Sequence, residues 1–266
     1  KIMSKKVLVI GENCTDIFIY GKSRVPFHRK EQLGVHDDVF EIFETTTDPG
    51  MAGNVVKNLK HFGALVEFAS NAEEFCKTRY VDTETKETVF RVDSIENFVP
   101  IEFSDAAFDE FKNFDAIIIS DYNRGLVTEE IIQKACEVNE NVFIETKKVL
   151  GDFCKKAKMI KLNFNEYSYV KNHCNVDDFK ESLVVTLEDE GCMYKECTYP
   201  LFDDQKQNYQ LIGGGDKFLA AFTLKYLDTK CFIESINHSN NVVSSSNPIC
   251  FYSRLVGNDT KMCAKI

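Results

Sequence analysis

The sequence predicts an α/β protein: a doubly wound, mostly parallel sheet flanked by helices, carrying a small lid of β-strands. Short apolar runs recur along the chain, each ending in a polar residue, and amphipathic stretches of helical length separate them. Runs without polar residues suit strands covered on both faces, as in parallel sheets. Residues 17–45 and 78–98 break this rhythm with apolar/polar alternation, which suits antiparallel strands with one wetted face.

In chain order, Val7-Leu8-Val9-Ile10 closes at Gly11 and reads as the first buried strand. The first part of the lid follows. Gly53 to Phe62 then places Val55, Val56, Leu59 and Phe62 on one side of a helix. Thr88-Val89-Phe90-Arg91-Val92-Asp93 alternates and completes the lid. Ala116-Ile117-Ile118-Ile119 returns to the buried pattern and ends in Ser120-Asp121. Thr128 to Val138 is helical, with Ile131, Ile132, Ala135 and Val138 aligned. Val142-Phe143-Ile144 ends in Glu145, and Leu183-Val184-Val185 ends in Thr186. The helix-like run Leu219 to Leu227 follows a glycine cluster. No repeat, low-complexity tract or Pro/Gly-rich linker divides the chain, so 1–266 is expected to form one domain with the lid inserted in it. Ligands of open α/β sheets bind beyond the carboxyl ends of the strands. Those ends carry Asp16, Asp121, Glu145 and Thr186.

Composition removes several functional classes. Lys and Arg number 32 against 42 Asp and Glu, a formal charge of -10, and the acidic residues are scattered. A nucleic-acid surface needs clustered cations, and the compact basic runs are only Lys147-Lys148 and Lys155-Lys156 with Lys158. None of the ten cysteines forms a C-x-x-C pair, and Cys14, Cys136 and Cys231 lie in apolar surroundings that suit core thiols. The five histidines are dispersed, so a transition-metal site has no support. Lys5-Lys6 precedes only a short apolar run, and no window approaches a membrane span. A cytoplasmic protein without nucleic-acid or membrane partners is expected.

Three motifs carry chemistry. Leu211-Ile212-Gly213-Gly214-Gly215-Asp216-Lys217-Phe218 sets three glycines before a helix, where close backbone approach and free N–H groups make an anion site. Asp216 beside it is placed to accept a proton from an attacking hydroxyl. The same run also reads as a loop with Asp as helix N-cap. Asp48-Pro49-Gly50-Met51-Ala52-Gly53-Asn54 lets a polyhydroxylated ligand press on the backbone, with Asn54 as donor and acceptor; it reads equally as a turn before a capped helix. Asn163-x-x-Glu166 after a strand suits water-mediated contacts to Mg²⁺ and phosphate.

The order of these motifs resembles that of the ribokinase-like (PfkB) carbohydrate kinase family: Gly11 with Asp16, Gly50 to Asn54, Asn163-x-x-Glu166, Thr186 with Gly191, and Gly213 to Asp216. Several stretches also look like a heptose 7-phosphate kinase domain. They are Val7 to Asp16 with Tyr20-Gly21, Thr78-Arg79-Tyr80 leading to Phe90-Arg91-Val92-Asp93, and Ser120-Asp121-Tyr122-Asn123-Arg124-Gly125. The resemblance implies an ATP- and Mg²⁺-dependent kinase acting on a sugar or sugar phosphate. Asp216 would be the catalytic base, and Gly213, Gly214 and Gly215 the anion hole. Asp16, Gly50 and Asn54 would hold sugar hydroxyls, Arg79 and Arg91 would meet the sugar or its phosphate, and Asp121 would face the cleft. Asn163 and Glu166 would organise phosphates and Mg²⁺, the latter through water. Lys147 would face the cleft, and Thr186 and Asn240 would border the nucleotide. Lids of this kind pair into a β clasp, which implies a homodimer. A second reading is a degenerate kinase fold that binds sugar or nucleotide without turnover. It is motivated by Gln210, Leu211 and Ile212, where the family carries Asp and Thr, and Met51 and Glu188 likewise replace glycines.

Overall fold

Successive side chains of a strand point to opposite faces, so an unbroken apolar run needs cover on both. The first run has it: Val7 and Val9 enter one apolar cluster, Leu8 and Ile10 another. The computed structural model describes residues 4–24, 39–201 and 213–245. Its first half runs β1 (Lys6–Gly11), β2 (Asn13–Arg24), β3 (Val39–Met51), α1 (Ala52–His61), β4 (Leu65–Ala69), β5 (Cys76–Asp82), β6 (Thr88–Asp93), α2 (Asp105–Glu110) and β7 (Ala116–Asp121). There follow α3 (Glu129–Val138), β8 (Val142–Thr146), β9 (Met159–Asn163), α4 (Phe164–Val170), β10 (Leu183–Thr186), β11 (Cys192–Tyr194), β12 (Cys197–Tyr199), α5 (Gly214–Thr229) and α6 (Phe232–Ser244).

Eight strands form the main sheet in the order β12-β11-β10-β9-β8-β7-β1-β4. The pairs from β4 to β10 are parallel, and β11 and β12 add an antiparallel edge. One face packs Ile117, Ile119 and Ile144 on Ile131 and Ile132 of α3; the other packs Ile118 and Phe143 with Leu59 of α1 and Leu219 and Phe222 of α5. The doubly wound, mostly parallel sheet read from the apolar runs is therefore the one observed.

Helix starts follow local chemistry. The Thr128 hydroxyl accepts from Ile131 N and caps α3, with Glu129 and Glu130 in the first turn. Asn163 and Glu166 form a reciprocal capping box on α4. At α5 the N-cap is Gly213 in the left-handed region (φ 82), not Asp216, so the glycines belong to the first turn and Asp216 is its third helical residue. Met51 and Glu188, both standing where the resemblance has glycine, keep positive φ values of 54 and 53. The turns demand that backbone whichever residue occupies them.

A second sheet has the order β3-β2-β5-β6 and corresponds to the expected lid. Its strands begin earlier than the alternation suggested, at Asn13, and β3 runs on through Gly50 to Met51, so Asp16 and Gly50 lie within it. Residues 25–38 of the expected lid lie outside the described residues, as do Gln210, Leu211 and Ile212. All eight described cysteines are free; Cys14 and Cys136 are buried, while Cys231 is half-buried at the start of α6. Among the described residues no helix is long and apolar enough to cross a membrane.

Candidate active site

Two glycine turns meet at the carboxyl rim of the main sheet. The turn from β3 into α1 presents Asn54, whose Nδ2 donates to Asp216 Oδ2 at 2.7 Å in the first turn of α5. The approach is close because a Cβ on Gly213 would come within 2.6 Å of Asn54 Nδ2. On the other side, a Cβ on Gly215 would lie 2.6 Å from Lys161 Nζ. Lys161, midway along β9, is 2% exposed and pairs with Glu145 of β8 at 2.5 Å. The glycines thus let the helix start settle between an amide and a buried ammonium.

This packing sets the electrostatics. Burial, and next the charge of Glu145, push the Asp216 carboxyl up to about 7, against the pull of Lys161 and the Asn54 hydrogen bond. Burial alone would lower Lys161, but Glu145 outweighs it and holds the ammonium protonated. Glu145 Oε2 is buried without a hydrogen-bond partner. Such a pairing of a raised carboxylate with a helix start suits proton acceptance next to an oxyanion.

Lys147, Asn163, Asn165, Glu166, Tyr169 and Val170 line an adjoining depression of about 360 Å³. Glu166 Oε2 accepts from Asn163 N at 2.8 Å, so one oxygen serves the cap; burial raises its carboxyl. No group of three or more His, Cys, Asp or Glu among the described residues could cage a metal. The remaining Glu166 oxygen and the orphaned Glu145 Oε2 do fit a hydrated Mg²⁺ held mostly through water. Thr186 ends β10 beside this region, its Oγ1 donating to Leu162 O at 3.4 Å. Another depression, of about 330 Å³, lies at the opposite ends of β1, β7 and β8, around Lys5, Asp115 and Asn141.

The second sheet brings Asp16 and Gly50 together: a Cβ on Gly50 would meet Asp16 Oδ2 at 2.3 Å. Arg79 binds Asp16 at 2.5 Å, and Arg91 grips Asp93 through Nε at 2.6 Å. Two expected site residues are committed elsewhere. Asp121 is 1% exposed, accepting from Thr146 Oγ1 at 2.6 Å and Lys148 Nζ at 2.9 Å, so it locks strand ends rather than facing open space. Asn240, also 1% exposed, spends its amide on the carbonyls of Tyr199 and Pro200, holding the edge of β12.

Sequence reading passed over Glu12, which is fully buried. Its carboxylate accepts from Tyr122 N at 2.8 Å and Arg124 N at 3.1 Å and fixes the turn after β7. It also passed over Tyr122, whose ring centroid has Lys147 Nζ at 4.6 Å and Lys77 Nζ at 5.4 Å. The signal for Glu12 was present, a carboxylate directly after a buried strand; Tyr122 had none of its own.

The fold is that of ribokinases. The Arabidopsis thaliana ribokinase complexed with ribose and ATP superposes with a TM-score of 0.64 at 13% identity, over 91% of this chain and 92% of that one. Escherichia coli phosphofructokinase-2 in complex with potassium does so at 0.63 and 13%, over 93% and 96%. In sequence, the chain is similar to the bifunctional protein HldE of Nitratiruptor, 26% identical over 82% of this chain, and to that of Campylobacter curvus, 26% identical over 90%. It spans only 56% and 61% of those two relatives' length. No family model matches. These similarities show a ribokinase-type fold and a sequence likeness to the HldE proteins.

Proposed function

We propose that the chain is a single kinase domain that transfers the γ-phosphate of ATP to a hydroxyl of a sugar or sugar phosphate, a heptose 7-phosphate being the acceptor the HldE likeness favours. The observation that carries this is Asp216: buried in the first turn of α5, beside the glycine backbone and hydrogen-bonded to Asn54. In the proposed step the acceptor hydroxyl gives its proton to the Asp216 carboxylate and its oxygen bonds to the γ-phosphorus. The bond to the β-phosphate oxygen breaks and ADP leaves. Backbone N–H groups of Gly214 and Gly215 at the positive end of α5 offset the charge on the transferring group.

Asp16, Gly50 and Asn54 hold the sugar, with Arg79 and Arg91 above it. Lys147, Asn163, Glu166 and Thr186 receive the nucleotide. Mg²⁺, when bound, supplies charge neutralisation at the phosphates, with Glu166 and Glu145 holding its water. The second sheet acts as a lid that excludes water. Its far face carries the stacked pair Tyr80 and Phe90, 4.2 Å apart, with Val92 half exposed, which supports a homodimer through the lids. A cytoplasmic location fits this chemistry, since ATP is abundant there.

The test is transfer of label from γ-radiolabelled ATP to a panel of heptose phosphate, hexose phosphates, free sugars and nucleosides. Label on a sugar or sugar phosphate is the expected result. Nucleotide or sugar binding with no transfer to any acceptor would establish the binding-module reading instead.

A further inference from the structure

Glu12 is the residue between Gly11, where β1 of the main sheet ends, and Asn13, where β2 of the second sheet begins, and it is fully buried. Its carboxylate oxygens are spent separately: Oε2 accepts from Tyr122 N at 2.8 Å and Oε1 from Arg124 N at 3.1 Å. Among the described residues no cation pairs with it. Its carbonyl accepts from Ala52 N at 2.9 Å, where the chain returns from β3 into α1. Gly11 keeps this junction tight, since a Cβ there would lie 2.9 Å from Ala52 Cβ and 2.1 Å from Ser120 O. One residue therefore fastens the outgoing strand, the incoming helix and the turn after β7.

Burying a carboxylate without a cation is costly, and only its hydrogen bonds offset that cost. Burial raises the Glu12 carboxyl, and the amide of Tyr122 pulls against it. A carboxylate is what two separate amides require. Glutamine would offer one acceptor oxygen and turn an NH₂ group toward the other N–H. The turn being held contains Asn123 at φ 56 and Gly125 at φ 97, a backbone that needs outside support at the asparagine. On the other side of Glu12, Ala52 is the first residue of α1, and Asn54, two residues on, donates to Asp216. The path from Glu12 to the Asp216 carboxylate is thus one backbone hydrogen bond, two residues of helix and one side-chain hydrogen bond.

We propose that Glu12 is a positioning residue for phosphoryl transfer: it clamps the joint between the two sheets to the turn after β7, and so sets the start of α1 and holds Asn54 against Asp216. The inference rests on the kinase reading above and adds to it a residue outside the motifs that carry the chemistry. A displacement of a catalytic group by an ångström is enough to slow a reaction severely, so a clamp at this distance from the base acts on turnover.

The experiment compares Glu12→Gln, Glu12→Asp, Asn54→Ala and the double variant Glu12→Gln with Asn54→Ala. Glu12→Gln is expected to lower kcat about tenfold. Glu12→Asp keeps both acceptor oxygens and should recover part of that loss. In the Asn54→Ala background, Glu12→Gln should lower kcat by no more than about twofold further, because the path it acts through is already cut. Ile132→Val, a core change beneath α3, serves as the control for general loosening: it should lower the melting temperature and leave kcat unchanged. A second readout needs no turnover. The Asn54 side-chain amide signal in the proton–nitrogen NMR spectrum, assigned by its loss in Asn54→Ala, should move in Glu12→Gln and stay in place in Ile132→Val. A moved signal in a protein that releases no ADP with any acceptor would sustain the clamp while the kinase reading fails. An unmoved signal, or equal kcat losses from Glu12→Gln in the wild-type and Asn54→Ala backgrounds, would overturn it with the kinase reading intact.

Discussion

Asn54 Nδ2 and Asp216 Oδ2 lie 2.7 Å apart, joining residues 162 positions apart in the chain and holding the start of α1 against the start of α5. The hydrogen bond favours the ionised carboxylate, opposing the effect of burial. Asn54→Ala should therefore move the midpoint of the kcat/KM pH profile upward from about 7 and lower turnover at neutral pH. A steady-state pH series on the variant checks this, and an unmoved midpoint would detach Asn54 from the base.

The same carboxyl links stability to pH. Folded Asp216 is raised to about 7, whereas an unfolded Asp loses its proton near pH ~4. Between those values the native state binds the extra proton, so this contribution is full below about pH 4 and is lost as pH rises through about 7. Asp216→Asn has no such group. Its advantage in melting temperature over wild type should grow from pH 5 to pH 8; parallel curves would contradict the buried ionisation.

Lys161 and Glu145 form a buried pair under the glycine turn, 2.5 Å apart. Removing one partner strands the other, so Lys161→Met should cost about 3–5 kcal/mol in denaturant unfolding. The double variant Lys161→Met with Glu145→Leu should recover most of that loss, because a buried ion pair is often replaceable by apolar groups of similar size. Additive losses would mean that each side chain is held by something other than its partner.

Glu188 is exposed and yet adopts φ 53, a backbone that favours glycine. Glu188→Gly gives up no packing and should stabilise the fold by about 1 kcal/mol, read as a higher denaturant midpoint. A lower midpoint would show that the Glu188 side chain holds the turn.

The main sheet was legible because its strands are buried on both faces, which forces unbroken apolar runs such as Ala116 to Ile119. The lid was blurred at its edges because β2 and β3 pass through Cys14, Asp16 and Gly50, a thiol, a carboxylate and a glycine that interrupt apolar/polar alternation. Asp216 and Asn54 were legible as glycine-flanked polar residues, and the structure brings them into contact. Asp121 and Asn240 show the opposite case: a polar residue at a strand end or on a helix reads alike whether it faces a cleft or satisfies buried groups. Only tertiary partners, Lys148 for one and the carbonyls of Tyr199 and Pro200 for the other, decide between these.

The most direct test is acceptor-dependent ADP release from Mg·ATP by wild type and by Asp216→Asn, with folding of the variant verified by its melting curve. A base at Asp216 predicts that the variant binds acceptor with similar affinity while kcat falls by about a thousandfold. Turnover by Asp216→Asn at the wild-type rate would contradict the assignment of Asp216 and, with it, the mechanism built on the glycine turn.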